Sequence, residues 1–334
     1  MSWLSKDYSE CPDVKKNDYF MRKEGLDSAR PDREMLKIAY HPIYVLPLPE
    51  GHRFPMEKYE LVPQQLLHEG TCNSASFFEP EYPDEADILA VHDQAYVDAL
   101  KNQTLSYREA RKIGLPLSER LVEREFIITS GTIKAAQYAM QNGVAMNIAG
   151  GTHHAYTNQG EGFCMFNDQA VAARWLQRNE LVQKILMVDL DVHQGNGTAE
   201  IFQNDPSVFT FSMHGKNNYP FKKEKSDLDI ELENGTGDEE YLEILNENLP
   251  RLIEEQKPDF IFYLSGVDIL KTDKLGKLSC TIAGCKERDR YVLQICRDLK
   301  IPVEVSMGGG YSSHIKDIVE AHSNTFRLAQ EIYF

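Results

Sequence analysis

The chain has 334 residues, of which 42% are hydrophobic and 10% aromatic, and this is enough apolar material for the core of a large α/β domain. A formal net charge of −16 argues against a protein that binds nucleic acid directly, because such proteins carry a basic face. The sequence shows no signal peptide, no CxxC pair and no apolar segment of the ~18 residues that a membrane span requires, so we expect a cytoplasmic protein with buried thiols.

The first half of the chain divides into an N-terminal part and a series of regular elements. Residues 1–36 are polar and of mixed charge, and we interpret them as an N-terminal extension ahead of a catalytic domain at residues 37–334. The elements predicted next are, in order, a strand (37–46), a helix (61–70), a short strand (87–92), a helix (93–102), a surface insertion (103–122) and a long helix (123–142) that Gly143 caps.

The second half continues the alternation of strands and helices. The predicted elements are a strand that begins at Val144, a helix (168–180), two strands (185–191 and 208–214), a helix (238–256), a strand (259–268), a helix (284–299), a strand (301–307) and a terminal helix. This alternation predicts the α/β class, as a single open parallel sheet with helices on both faces. Ligands of such sheets bind beyond the carboxyl ends of the strands.

The strand at 185–191 is followed directly by metal-binding residue types. Asp189, Asp191 and His193 occupy alternate positions, so in an extended chain they point to one side. Carboxylates at the end of a buried strand need a compensating charge, which a divalent metal supplies. Asp268, at the end of another predicted strand, completes two carboxylates and one imidazole with a coordination position left open, as in catalytic zinc sites. The same ligands also suit Fe(II), Co(II) or Mn(II).

Two adjacent histidines follow the strand that begins at Val144. Beside a metal, we interpret His153 and His154 as general acid–base residues, whereas in another context they would form an ordinary surface pair. Asp189 and Asn196 are placed to hydrogen-bond the two imidazoles and fix their tautomers. Because these partners differ in charge, one histidine is expected to be more basic than the other.

Glycines precede a tyrosine after the last predicted strand, at Gly308–Tyr311. Glycine lets the backbone approach a ligand closely, and the Tyr311 hydroxyl is placed to donate to a developing oxyanion. Gly162, Phe163 and Tyr219 are weaker signals, since packing is the ordinary role of an aromatic residue.

Five segments together resemble the histone deacetylase superfamily in order and spacing. They are GGTHHAY (150–156), GEGFCMFND (160–168), VDLDVHQGNGT (188–198), YLSGVDIL (263–270) and MGGGY (307–311). The resemblance covers about residues 38–330 and implies a single arginase/deacetylase-like α/β domain with the activity of a zinc-dependent lysine deacylase.

The resemblance also implies a role for each matched residue. Asp191, His193 and Asp268 would bind Zn²⁺, with Fe²⁺ or Co²⁺ as substitutes. His154 would be the principal general base and acid, and His153 its electrostatic partner. The remaining implied roles are polarisation of the scissile amide carbonyl by Tyr311, contact with the acyl-lysine substrate by Gly162, Phe163, Tyr219 and Gly309, and binding of a structural K⁺ by groups that include Asp189, Asp191, His193 and Ser212.

Two features refine the resemblance. Asn196 stands where class I enzymes have aspartate, and GVDILKTDKLGKLSCTIAG (266–284) most resembles the class IV branch with its bacterial relatives. That branch includes enzymes that prefer long fatty-acyl lysine, so the length of the acyl group remains open. No residue is identified as the rim aspartate that holds the substrate backbone in class I enzymes, which leaves the substrate open between proteins or peptides and smaller molecules.

Three alternatives remain beside deacylation of protein lysine. A deacetylase of small amines such as polyamines is expected to carry an acidic gate residue near the tunnel mouth. An arginase-like binuclear manganese hydrolase typically has a D-x-H-x-D motif, whereas Gly195 occupies the last of these positions here. An inactive acyl-lysine binder is disfavoured because the metal ligands, both histidines and Tyr311 are all present. The sequence does not indicate the oligomeric state.

Overall fold

The computed structural model describes residues 35–334, so the predicted N-terminal extension lies outside the described residues except at its end. The strands are β1 (Lys37–Ala39), β2 (Phe77–Phe78), β3 (Val144–Asn147), β4 (Ile185–Asp189), β5 (Val208–Gly215), β6 (Leu228–Leu232), β7 (Phe260–Leu264) and β8 (Val303–Ser306). They form one sheet in the order β2-β1-β3-β8-β7-β4-β5-β6, and all neighbours pair in parallel. The predicted α/β class with a single parallel sheet is confirmed.

Helices lie in most of the connections between consecutive strands, as is usual for parallel pairing, whereas the connection from β5 to β6 contains no helix. The described α-helices are α1 (Lys58–Glu69), α2 (Glu85–Ile88), α3 (Gln94–Lys101), α4 (Tyr107–Ile113), α5 (Glu119–Asn142), α6 (Asp168–Arg178), α7 (Asn196–Phe202), α8 (Asp238–Gln256), α9 (Ile282–Leu299) and α10 (Ile315–Tyr333). In residues 35–334, no helix is both long and apolar enough to cross a bilayer.

The central strands end in register, and this alignment positions the candidate site. Asp189 at the end of β4 pairs with Leu264 at the end of β7, which pairs with Ser306 at the end of β8. Ser306 in turn pairs with Asn147 at the end of β3. Every residue of these four strands is buried, as expected for a sheet covered on both faces. The segments that follow them therefore leave the sheet side by side.

The long helix α5 has clear start and stop signals. The Ser118 hydroxyl caps the helix by accepting a hydrogen bond from Leu121 N at 3.1 Å. The helix therefore begins at Glu119, four residues before its predicted start at residue 123. Gly143 ends the helix with a φ of 85°, as predicted, because a left-handed C-terminal residue costs glycine little. The region predicted as a surface insertion (103–122) thus contains all of α4 and the beginning of α5.

Two of the predicted strands differ from the structure. The prediction of a strand at 87–92 is wrong, because the Asp84 carboxylate caps the short helix α2 by accepting from Ala86 N at 2.9 Å. The first strand ends at Ala39 and not at residue 46, since His41 caps a 3₁₀ turn at Pro42–Tyr44. The edge strands β2 and β6 and the helix α7 were not predicted from the sequence.

Candidate active site

A cavity opens beyond the carboxyl ends of the central strands. Loops that follow β3, β4 and β8 supply His153, His154, Asp191, His193 and Tyr311 to its lining. Two of the predicted metal-binding residues, both predicted acid–base histidines and the predicted tyrosine therefore line one cavity, although they are up to 158 residues apart in sequence (311 minus 153).

Asp191, His193 and Asp268 form a buried group that could hold a metal ion. Their ligand atoms all lie within 4.8 Å of one another. His193 Nδ1 is 2.9 Å from Asp191 Oδ1 and 3.1 Å from Asp268 Oδ2. Donor atoms this close can all approach one divalent ion at the ~2.0–2.2 Å typical of zinc with nitrogen and oxygen ligands. The donor set and its burial therefore fit such an ion.

Local turns, and not an extended strand, bring these side chains together. β4 ends at Asp189, whose Oδ1 accepts from Asp191 N at 3.2 Å, and Asp191 Oδ1 accepts from His193 N at 3.0 Å. Each aspartate thus bonds the backbone two residues on, a common turn for this residue type. The predicted alternation along one extended face does not continue past Asp189, which pairs with His153, while Asp191 and His193 meet Asp268.

Backbone amides orient the two carboxylates. Gly309 N donates to Asp191 Oδ2 at 2.9 Å, and Val192 N donates to Asp268 Oδ1 at 2.9 Å. A Cβ at Gly309 would lie 2.1 Å from Asp268 Oδ2, so only glycine fits there. Gly309, predicted as a substrate contact, lines the cavity and also contacts the metal-binding group.

Arg288 lies beneath the metal-binding group and is completely buried. Its guanidinium donates to Leu190 O at 3.2 Å and to Gly266 O at 2.6 Å. These carbonyls directly precede Asp191 and lie two residues before Asp268. The arginine therefore ties together the two chain segments that carry the carboxylates.

Arg288→Met is expected to lower the free energy of unfolding by about 3–5 kcal/mol, because it leaves Asp289 as an unpaired buried carboxylate. Arg290→Met on the same helix is the matched control. Arg290 forms partly exposed ion pairs, which contribute only ~0–1 kcal/mol. Urea unfolding of both variants measures the difference, and equal stability would show that Arg288 has no special role.

His153 is bound to a charged partner. Its Nδ1 lies 2.7 Å from Asp189 Oδ2, and both side chains are buried. Burial acts to lower the pKa of His153, but the charge and hydrogen bond of Asp189, together with the charge of Asp191, raise the pKa overall. The structure therefore favours a positively charged His153.

His154 is bound to a neutral partner. Its Nδ1 lies 2.6 Å from Asn196 Oδ1, so the amide oxygen accepts and Nδ1 carries the proton. Burial, together with the positive charge of His153, holds the pKa of His154 well below its usual value. Asn196 Nδ2 donates to Glu161 Oε1 at 2.6 Å, which fixes the orientation of the amide. His154 is therefore the less basic of the two histidines, with Nε2 free to accept a proton.

The pH dependence of turnover follows from this contact. We expect the acid limb of kcat/KM to lie below pH 6.5 in the wild type, because His154 must be neutral to act as a base. The double variant Asn196→Asp/Glu161→Gln places a carboxylate against Nδ1 and removes the acid that would repel it. A raised pKa moves the acid limb upward by roughly 1–3 pH units. Glu161→Gln alone is the control, and identical profiles would contradict the assignment of His154.

Two hydrogen bonds fix the backbone at and before Tyr311. Tyr311 N donates to Asp273 Oδ2 at 2.6 Å, and Lys58 Nζ donates to Gly308 O at 2.9 Å. The ring centroid lies 6.3 Å from that of His193. Burial raises the pKa of Tyr311 well above its usual value, so its hydroxyl remains a hydrogen-bond donor at neutral pH.

The predicted substrate-contacting aromatics lie beside His154 and Tyr311. The Phe163 ring centroid is 5.9 Å from that of Tyr311, and the Tyr219 ring stands perpendicular to His154 at 5.0 Å. Gly162 has a φ of 58°, and a Cβ there would lie 2.6 Å from His154 Cδ2. Of the groups predicted to bind K⁺, Ser212 pairs with Asp189 in the sheet register.

Several residues around the site carried no prediction. Asp273 lies in the 266–284 stretch and Glu161 in the GEGF motif, so both motifs could have indicated them. Lys58 and Arg124 are charged residues in helical segments without a motif, and nothing local marks them as buried.

Comparisons with known proteins identify the family that this chain matches. Residues 52–326 match the family described as histone deacetylase domain. A protein of Picosynechococcus sp., itself uncharacterized, is 47% identical over 296 residues, which are 89% of this chain and 99% of the relative.

More distant relatives are named for different roles. Histone deacetylase 2 of Arabidopsis thaliana is 29% identical, over 83% of this chain and 74% of its own length. Acetoin utilization protein AcuC of Staphylococcus aureus is 28% identical, over 83% and 77% of the two chains. The crystal structure of the HDA15 HD domain superposes with a TM-score of 0.77, at 21% identity over 90% of each chain, and this similarity concerns the fold alone.

Proposed function

Because the chain belongs to the histone deacetylase family, we propose that it hydrolyses the amide of N-ε-acyl-lysine in proteins or peptides. The observation that carries this proposal is that Asp191, His193, His154 and Tyr311 line one cavity and that Asp268 completes a buried group with Asp191 and His193. Family members generally depend on zinc, and we propose Asp191, His193 and Asp268 as the ligands of Zn²⁺, with Fe²⁺ or Co²⁺ as possible substitutes. Such an ion, when bound, supplies Lewis-acid activation of water and of the amide carbonyl.

The protein's own residues would orient the amide and move protons. Tyr311 would donate its hydroxyl hydrogen to the carbonyl oxygen as negative charge develops there. His154 Nε2 would take a proton from the attacking water and return it to the leaving amine as the C–N bond breaks, which yields a free lysine and a carboxylate. The His153–Asp189 pair would keep a positive charge beside His154 and hold its pKa low.

Further assignments rest on the sequence resemblance. We propose a class IV enzyme of bacterial type, with residues 37–334 as the catalytic domain, a cytoplasmic location and a structural K⁺ near Asp189 and Ser212. The stretch at 266–284 supports the branch, and the similarity to the Picosynechococcus protein supports the type. Gly162, Phe163, Tyr219 and Gly309 are the proposed substrate contacts.

A second candidate is deacetylation of a small acetylated amine such as a polyamine. The similarity to a relative named for acetoin utilization favours it, because that name refers to a small molecule. The two candidates share the catalytic residues and differ only in what lies outside the acyl-lysine tunnel.

The experiment that separates them uses zinc-loaded protein. Lysine peptides with acyl chains from acetyl to myristoyl are compared with acetylated polyamines, and turnover is measured by release of the free amine. Turnover of any peptide supports lysine deacylation, whereas turnover of polyamines alone supports the second candidate. Activity on neither class, in protein that has bound its metal, would contradict both.

A further inference from the structure

The catalytic cavity is lined on one side by helices and not by the loops beyond the sheet. Tyr59 from α1, together with Arg124 and Ile128 from α5, belongs to the same lining as the catalytic residues. Arg124 is 2% exposed, and Lys58, next to Tyr59 on α1, is completely buried. Arg124 is therefore a buried cation in the cavity lining, and Lys58 is a second buried cation that lies outside the lining.

The Arg124 guanidinium is only partly satisfied. Its Nε donates to Tyr44 O at 2.8 Å, and Nη1 donates to the carboxylate of Glu125. Nη2 has no hydrogen-bond partner although it is buried. The guanidinium carbon lies 5.1 Å from the centre of the Tyr59 ring, which lines the cavity. An unpaired buried donor of a charged group is costly, so this atom calls for an acceptor.

Lys58 also lies close to the Tyr59 ring. Its Nζ lies 5.3 Å from the centre of Tyr59 and 5.7 Å from that of Tyr311. An ammonium group has three donor hydrogens, and the described contacts give Nζ one acceptor, Gly308 O. The carboxylates of Asp268, Asp191 and Asp273 act on Lys58 through their charge, although no described carboxylate lies within ion-pair distance of Nζ. Tyr59 thus lies near two cations that both have donors to spare.

The orientation of the acyl-lysine substrate in the cavity determines which part of it lies near Arg124 and Lys58. In the proposed reaction the amide lies at His154 and Tyr311, with the lysine stem between Phe163 and Tyr219. The remaining lining, which includes Tyr59 and Arg124, is then left for the far end of the acyl group. A fatty chain would leave Nη2 unpaired, whereas a carboxylate matches the planar donors of a guanidinium.

We propose that Arg124 Nη2, beside Tyr59 in the cavity lining, binds the distal carboxylate of a dicarboxylic acyl group, with Lys58 adding positive charge near the same ring, so that succinyl- or glutaryl-lysine is the preferred substrate. This assignment rests on the proposed amide hydrolysis and specifies the acyl group on which it acts. Hydrolysis would release the free lysine and a dicarboxylate.

The first test compares acyl groups of equal size and different charge. Peptides carrying succinyl-lysine are compared with the uncharged succinamoyl-lysine, and acetyl-lysine and myristoyl-lysine complete the series. We expect kcat/KM to be at least about tenfold higher for succinyl than for succinamoyl, the effect of one charge-assisted hydrogen bond. Arg124→Met is expected to abolish that ratio, while Arg120→Met, an exposed position on the same helix, keeps it.

A binding measurement separates failure of this site from failure of the reaction. Fluorescence anisotropy with Tyr311→Phe protein, in which Arg124 is intact and turnover is slow, reports the affinity for each peptide. Tighter binding of succinyl than of succinamoyl peptide supports the carboxylate site even if no peptide is hydrolysed, an outcome that would contradict only the proposed function. Equal affinities, or tighter binding of myristoyl peptide, would overturn the carboxylate site while leaving deacylation possible.

Discussion

Tyr311→Phe is expected to lower kcat by about 10²–10³-fold, equivalent to ~2.7–4 kcal/mol, with little change in KM. The hydroxyl is a protonated donor in a buried cavity, and its hydrogen bond strengthens as the carbonyl oxygen becomes an oxyanion. The ring contacts with Phe54 and Phe163, at centroid distances of 6.0 and 5.9 Å, do not need the hydroxyl. The variant should therefore fold normally and fail in the chemical step. Steady-state kinetics on the best acyl-lysine peptide measures the effect.

A matched control distinguishes a catalytic from a structural effect. Tyr333 OH donates to Leu293 O at 3.1 Å in α9, and neither residue lines the cavity. Tyr333→Phe removes the same atom from a partly buried tyrosine and should leave kcat unchanged. If Tyr311→Phe retained more than about a third of the wild-type kcat, its hydroxyl could not be supplying an oxyanion contact of the usual strength.

Asp268→Asn is expected to abolish both metal binding and turnover. The substituted amide can still accept from Val192 N, so the backbone stays in place, but the negative charge facing His193 is lost. Loss of outer partners of metal ligands already weakens metal affinity by about 10–100-fold, so loss of a ligand charge should cost at least ~100-fold. Metal content after dialysis, measured by mass spectrometry, checks this directly.

The control for this variant lies on the other side of the same strand, β7. Asp259, just before β7, accepts from Gln183 N and Lys184 N at the opposite end of the sheet. Asp259→Asn should bind metal like the wild type. Full metal occupancy in Asp268→Asn would exclude Asp268 as a ligand and leave its burial without an explanation.

The sequence predicts the centre of this fold better than its edges. The strands β4, β7 and β8 are apolar runs buried on both faces, and such runs are recognisable without a structure. β2 and β6 are short and largely half-buried, so only pairing with a neighbour makes them strands. The apolar residues after Asp87 were predicted as a strand, but the capping contact of Asp84 decides for a helix there.

The candidate site likewise contains residues that can be predicted from the sequence and residues that cannot. Asp191, His193, Asp268 and the histidine pair were predicted because their motifs stand at strand ends, where parallel sheets bind ligands. The structure does not show the predicted common face of Asp189, Asp191 and His193. The chain turns after Asp189, because the side chains of Asp189 and Asp191 each accept a hydrogen bond from the backbone two residues on. Lys58 and Arg124 could not be predicted, since their burial arises only when α1 packs against α10 and α5 packs over the sheet.

The position of β8 has a consequence for protein synthesis. This strand comes last in the chain, yet it lies between β3 and β7 in the interior of the sheet. During translation, β3 and β7 can therefore pair with β8 only after Val303–Ser306 has left the ribosome. Tyr311 follows five residues later (311 minus 306). The nascent chain thus gains its tyrosine hydroxyl together with the segment that closes its core, and an incomplete chain has no complete active site.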